Sequence, residues 1–82
     1  MDTQRERGTL NQKETLLYSF DKSQKEQVRV SETIYLDKHY IDIRIFFRNA
    51  DGVYKPTQKG LTLSKDLAQY LRHAVSRIES EE

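Results

Sequence analysis

The chain has 82 residues, no cysteine, one proline and a formal net charge of +1, with 35% hydrophobic and 33% charged side chains. These figures exclude a disulfide framework and a cysteine-based zinc site, and no apolar run approaches the ~20 residues of a membrane-spanning helix. At this length only about 60–65% of the unfolded surface is buried on folding, so one domain with a thin core is expected, supported by pairing into a homodimer.

Residues 1–14 are polar apart from Leu10 and read as a flexible N-terminal tail, leaving 15–82 as the folded domain. The opening MDTQRERGT carries no hydrophobic signal segment, so the protein is expected to remain in the compartment where it is made and not to be secreted. LLYSF (16–20) is the first segment able to pack and reads as a short strand. DKSQKEQ (21–27) is a charged connection, and VRVSETIYL (28–36) alternates as a second strand. In it Val28 and Val30 are followed, after a shift near Glu32 and Thr33, by Ile34 and Leu36, which predicts a bulge or bend at that point.

Asp37, Lys38 and His39 read as a short hairpin connection. The next strand has the clearest pattern: Ile41, Ile43, Ile45 and Phe47 face one way, and Tyr40, Asp42, Arg44, Phe46 and Arg48 the other. Asn49-Ala50-Asp51-Gly52 is a turn signal, since these residues tolerate left-handed backbone. Val53–Lys55 forms a further strand that Pro56 assigns to a sheet edge. Gly60 marks a bend before the short strand Leu61–Leu63.

Ser64 then reads as a helix N-cap with Asp66 in the first turn. Leu67, Leu71, Ala74, Val75 and Ile78 follow at helical spacing, with Tyr70 at the margin of the stripe, predicting an amphipathic helix of about 15 residues. It lays its stripe on the isoleucine face. The fold class is α+β, antiparallel strands followed by one C-terminal helix.

No catalytic constellation is present. His39 and His73 lack HExxH spacing, Asp37, Asp42 and Asp51 are dispersed, and Gly52 and Gly60 form no phosphate loop. The chain is read as a non-enzyme needing no metal or cofactor. Residues 28–63 carry six basic side chains against four acidic ones, whereas the stretch from Ser64 carries three against four. The sheet region is thus mildly basic, with Tyr35, Tyr40, Phe46, Phe47 and Tyr54 among its cations. Single-stranded nucleic acid is held by such a mixture, basic groups tracking phosphates and rings stacking on bases. A solvated sheet or a protein-binding surface anchored by Tyr40, Phe46 and Tyr54 accounts equally for the pattern.

The order and spacing of YIDIRIFF (40–47), DGVYKPTQKGLTLS (51–64) and the following helix resemble the positive cofactor four family of p15-type transcriptional coactivators. The likeness runs from about Tyr18 to Ile78, and VRVSETIYL resembles the family's preceding strand. It implies a curved four-stranded antiparallel sheet with a C-terminal helix, a homodimer, and binding of single-stranded DNA, or of melted duplex, with little sequence preference. It further implies a role in transcription, or in replication, recombination or repair, and a location inside the cell with the DNA. By the same resemblance Arg44 and Lys59 contact phosphate, Phe47 and Tyr35 stack on bases, and Lys38 lies in the contacting hairpin. Phe46, Arg48 and Lys55 complete the nucleic-acid-binding set.

Three departures imply weaker binding: Gln58 stands where a basic residue is common, Phe47 where tryptophan is common, and Leu36-Asp37 where Lys-Gly is common. Strict alternation also places Phe47 with the isoleucines, so its role as the stacking ring requires a twist or bulge near Phe46; otherwise Phe46 is the working ring. Two other readings stand beside DNA binding. One is an interaction module of the transcription machinery, and the other is a single-stranded RNA-binding protein, for which no reader of the ribose hydroxyl is evident.

Overall fold

The computed structural model describes residues 12–79. Four strands, β1 (Gln12–Asp21), β2 (Glu26–Tyr35), β3 (Lys38–Arg48) and β4 (Tyr54–Ser64), form one antiparallel sheet in sequence order. A single turn of 3-10 helix, Lys65–Leu67, leads into α1 (Ala68–Glu79). The two predicted pieces around Pro56 and Gly60 are one strand, and as expected of a proline-bearing strand it lies at the sheet edge. β1 begins at Gln12, so the tail expected over 1–14 falls, except for its last three residues, outside the described residues.

The register fixes which side chains share a face. Val28, Val30, Glu32 and Ile34 lie opposite Ile45, Ile43, Ile41 and His39 without interruption. The bulge predicted near Glu32 and Thr33 is therefore absent. The alternation runs through Glu32, a charge in an apolar row, whose carboxylate accepts from Lys65 Nζ at 3.1 Å and is hydrogen-bonded to His39 Nδ1 at 3.0 Å. Those partners explain why the pattern looked shifted: a polar residue occupies an inward position because it ties β2 and β3 to the start of the helical segment. Bulges occur instead at Leu17 in β1 and in β4 between the Arg44–Gly60 and Phe46–Pro56 pairs.

The hairpin between β2 and β3 is also tighter than expected. Only Leu36 and Asp37 are outside the strands, both with left-handed backbone (φ 52° and 66°), and Lys38 and His39 already belong to β3. Two successive positive φ angles are those of a type I′ turn, whose twist matches the flanking strands. The β3–β4 loop is organised by Asn49, whose Oδ1 accepts the backbone N–H of Asp51 at 2.9 Å and of Val53 at 3.1 Å, while Gly52 supplies the left-handed position (φ 80°). Ser64 precedes the 3-10 turn in extended conformation and makes no side-chain cap bond.

The body is thin, 54 × 36 × 17 Å, with a Cα radius of gyration of 15.3 Å, against about 11 Å for a compact domain of this size. Among the described residues no hydrophobic side chain is buried, and Ser31 is the only buried residue. Between α1 and the sheet lies an open apolar groove of about 580 Å³, lined by Phe20, Val28, Val30 and Ile43 on one side and Leu71 and Val75 on the other. The stripe of α1 overlooks the isoleucine face without closing on it.

Leucine has no side-chain bond to offset left-handed backbone, which costs on the order of 1–3 kcal/mol per strained residue. Replacing the turn by Asn-Gly (L36N with D37G) keeps its geometry and removes that strain. A rise in thermal midpoint of about 4–8 °C per kcal/mol recovered is expected at fixed protein concentration; an unchanged or lower midpoint contradicts it.

Candidate nucleic-acid interface

The face turned away from α1 carries Gln27, Arg29, Ser31, Thr33 and Tyr35 of β2, opposite Phe46, Arg44, Asp42, Tyr40 and Lys38 of β3. Its β4 row is Tyr54, Pro56, Gly60, Thr62 and Ser64. From Lys38 to Phe46 the strand rises about 27 Å at roughly 3.4 Å per residue. The small buried Ser31 is paired with Asp42 near the middle of this path. An open hollow of about 530 Å³ is bounded by Arg29, Tyr40, Asp42, Arg44, Phe46 and Thr62.

Arg44 is fixed by three bonds. Its Nε and Nη2 donate to the two carboxylate oxygens of Asp42 at 3.0 and 2.8 Å, and Nη1 donates to the Thr57 carbonyl at 3.1 Å. A guanidinium has five N–H donors, so two remain for a ligand. Asp42 Oδ1 also accepts the Thr62 hydroxyl at 2.6 Å. The Arg44 guanidinium beside it, helped by Thr62, holds the Asp42 carboxyl below its usual range against the opposing effect of partial burial. Asp42 in turn pushes the Arg44 guanidinium further up.

The reach of Arg44 across β4 depends on Gly60. A Cβ there would collide with the Ile43 carbonyl, lie 2.9 Å from Arg44 Cα and press on the guanidinium carbon at 3.2 Å. The neighbouring β4 bulge sets Thr57, Gln58 and Lys59 against the single residue Ile45. Thr57 Oγ1 closes it, donating to the Ile45 carbonyl at 2.8 Å and accepting the Lys59 N–H at 3.1 Å.

Arg29 lies directly across from Arg44. Its guanidinium carbon is 4.3 Å from the centre of the Phe46 ring and 5.5 Å from that of Tyr54, and Nε donates to Gln27 at 3.0 Å.

Of the residues predicted from sequence, Tyr35, Lys38, Arg44, Phe46 and Arg48 share this face. Phe47 and Lys55 are paired with each other on the helix side, because the β2–β3 register is unbroken through Phe47 and the irregularity near Phe46 belongs to β4. Phe47 is nonetheless 44% exposed. Lys59 is exposed in the bulge. Sequence reasoning did not count Arg29 as a candidate, and it offered Tyr54 only as an anchor of a protein-binding surface, not as a partner of that arginine. The signal is the pairing of Arg29 with Arg44, which only the register supplies.

The family model of the Transcriptional Coactivator p15 (PC4) matches residues 20–74. The chain belongs to this family. Solved structures agree in fold. The PC4 homologue BPSL1147 of Burkholderia pseudomallei superposes in its orthorhombic form with a TM-score of 0.74 at 22% identity, covering 83% of this chain and 92% of that one. Its tetragonal form gives 0.73 at 21%, covering 82% and 98%. The bacteriophage T5 homologue of PC4, described as implicated in recombination-dependent DNA replication, gives 0.62 at 23%, covering 87% and 80%. No curated protein sequence matches. Among the described residues of this PC4-family chain, no helix is long and apolar enough to cross a membrane, and no cluster of three or more histidine or acidic ligands could hold a metal.

Because the Asp42 carboxyl has a folded-state pKa below its unfolded one, its contribution to stability is complete above the ordinary aspartate range near pH 4. That contribution is lost as the pH falls through the folded-state value. Urea unfolding between pH 7 and pH 2 is expected to show a shallower acid loss for D42N than for the parent chain; parallel curves contradict the assignment.

Proposed function

We propose that the protein binds single-stranded DNA with little sequence preference, as a homodimer, along the sheet face opposite α1. The observation that supports this most is the placing of Arg29 and Arg44 directly opposite one another, beside Phe46 and Tyr54. Like charges opposed on neighbouring strands are unfavourable by themselves, and a polyanion between them removes that penalty. Family membership and the DNA-replication role attributed to the phage T5 homologue agree with a DNA ligand.

In this reading Arg44, Lys59, Lys38 and Arg48 meet phosphates and the exposed Tyr35 offers its ring to a base, whereas the exposed Phe47, on the helix side of β3, meets a base only where the DNA leaves that face at the loop end of the sheet. Lys55 adds charge beside Phe47 where the strand rounds the loop end of the sheet. The reading makes the protein a binding protein acting with DNA inside the cell, in transcription or in replication and repair, and not an enzyme. A second copy laid on the groove between α1 and the sheet covers Leu71, Val75, Ile43 and Val30, which a single copy leaves open.

Fluorescence anisotropy with a labelled oligothymidylate is expected to show affinity falling steeply with salt and exceeding that for matched duplex. K59A is expected to weaken binding and to lower the slope of log affinity against log salt by about 0.7, the share of one phosphate on a single strand. Equal, feeble binding of single strand and duplex at low salt sinks the proposal. Tighter binding of the matching oligouridylate redirects it to RNA, and salt-resistant capture of a protein partner redirects it to the interaction module.

For the assembly, light scattering is expected to give twice the 9.7 kDa chain mass. V75R, which places a charge in the groove, is expected to yield monomer with reduced stability. A monomeric parent chain contradicts the dimer.

A further inference from the structure

We propose that Arg29 is a phosphate-contacting residue of the sheet, and that Phe46 serves chiefly to position it and not to stack on a base. The inference rests on the single-strand reading above and assigns roles within that surface.

Phe46 and Phe47 are adjacent, and either could be the ring that meets a base. Their surroundings separate them. The Phe46 ring already carries the Arg29 guanidinium at 4.3 Å from its centre, within the ~6 Å at which a cation is held by a ring face. A base stacking on the Phe46 face covered by Arg29 would have to displace that cation. Phe47, on the other side of the sheet, is 44% exposed and has no such cover.

The same contacts make Arg29 well suited to an anion. Phe46 and Tyr54 both lie near its guanidinium, and Gln27 holds Nε at 3.0 Å, while the two terminal nitrogens make no hydrogen bond among the described residues and keep their donors for a ligand. A planar guanidinium fork binds phosphate bidentately, and one already held in place loses less freedom on binding. No carboxylate is bonded to Arg29 among the contacts of the described residues, in contrast to Arg44, whose charge Asp42 offsets at 2.8 Å. Of the two opposed arginines, Arg29 therefore presents the less compensated charge to the surface.

The test uses the full chain and a fluorescein-labelled oligothymidylate of about 20 nucleotides, with melting curves confirming that each variant is folded. R29Q is expected to weaken binding roughly tenfold, as loss of a charge-assisted bond does, and to lower the salt slope by about 0.7. R29K keeps the charge without the planar fork, and is expected to retain the slope while losing several-fold in affinity.

F46L is expected to weaken binding in the parent but to add little in the R29Q background, because its effect passes through the arginine. An R29Q chain with parental affinity and slope overturns the inference. So does an F46L effect of equal size in both backgrounds, which assigns Phe46 to base stacking. A parent chain that fails to bind the oligonucleotide removes the single-strand reading and this inference together, whereas a binding parent with an indifferent Arg29 removes only the inference.

Discussion

The β4 register break next to Arg44 is the feature on which the arrangement of the sheet depends. Three residues of β4 stand against Ile45, and that mismatch persists because Thr57 closes it with its own hydroxyl while its carbonyl receives Arg44. Gly60, immediately beyond, has no side chain to obstruct the guanidinium. Bulges bend a strand and increase its twist, so the break both shapes the edge of the sheet and presents Lys59. One irregularity thus fixes the backbone, the orientation of a cation and the exposure of a second.

The other side of the sheet obeys a different constraint. Strands of ten and eleven residues provide a long apolar surface, but one twelve-residue helix is the sole element available to cover it among the described residues. The result is a slab 17 Å thick with no buried hydrophobic side chain among the described residues. Hydrophobic burial, at about 25 cal/mol per Å² removed from water, is the main favourable term in folding, and among the described residues no hydrophobic side chain attains it fully.

Much of this was legible in the sequence, for identifiable reasons. The run of isoleucines at every second position of β3 fixed both faces of the sheet, and Pro56 correctly indicated an edge. The amphipathic stripe from Leu67 to Ile78 located the helical segment. What escaped was pairwise information. Glu32 broke the apolar pattern and simulated a bulge, since its partners His39 and Lys65 lie 7 and 33 residues away.

Leu36 gave no sign of left-handed backbone, because the turn is imposed by the strands on either side and not by leucine's own preference. Arg29 was not among the candidates read from the sequence, because only the register sets it against Arg44 and over Phe46. Phe47 follows the simple alternation, and the bulge its release required belongs to the neighbouring strand.

The two faces place complementary demands on a single copy. On one, apolar groups line an open groove; on the other, Arg29 and Arg44 oppose each other and only Arg44 has a carboxylate partner, Asp42. In the proposed reading each demand is met from outside the chain, by a nucleic acid on one face and a second copy on the other, and a partner that binds only the folded state stabilises it increasingly as its concentration exceeds the dissociation constant. Because the strands run through both faces, an anion settling between Arg29 and Arg44 also favours the β2–β3 pairing that holds Val28, Val30, Ile43 and Ile45 in one row. In that reading, binding on the charged side and closure on the apolar side act on the same two strands, β2 and β3, which is the physical route by which one would favour the other.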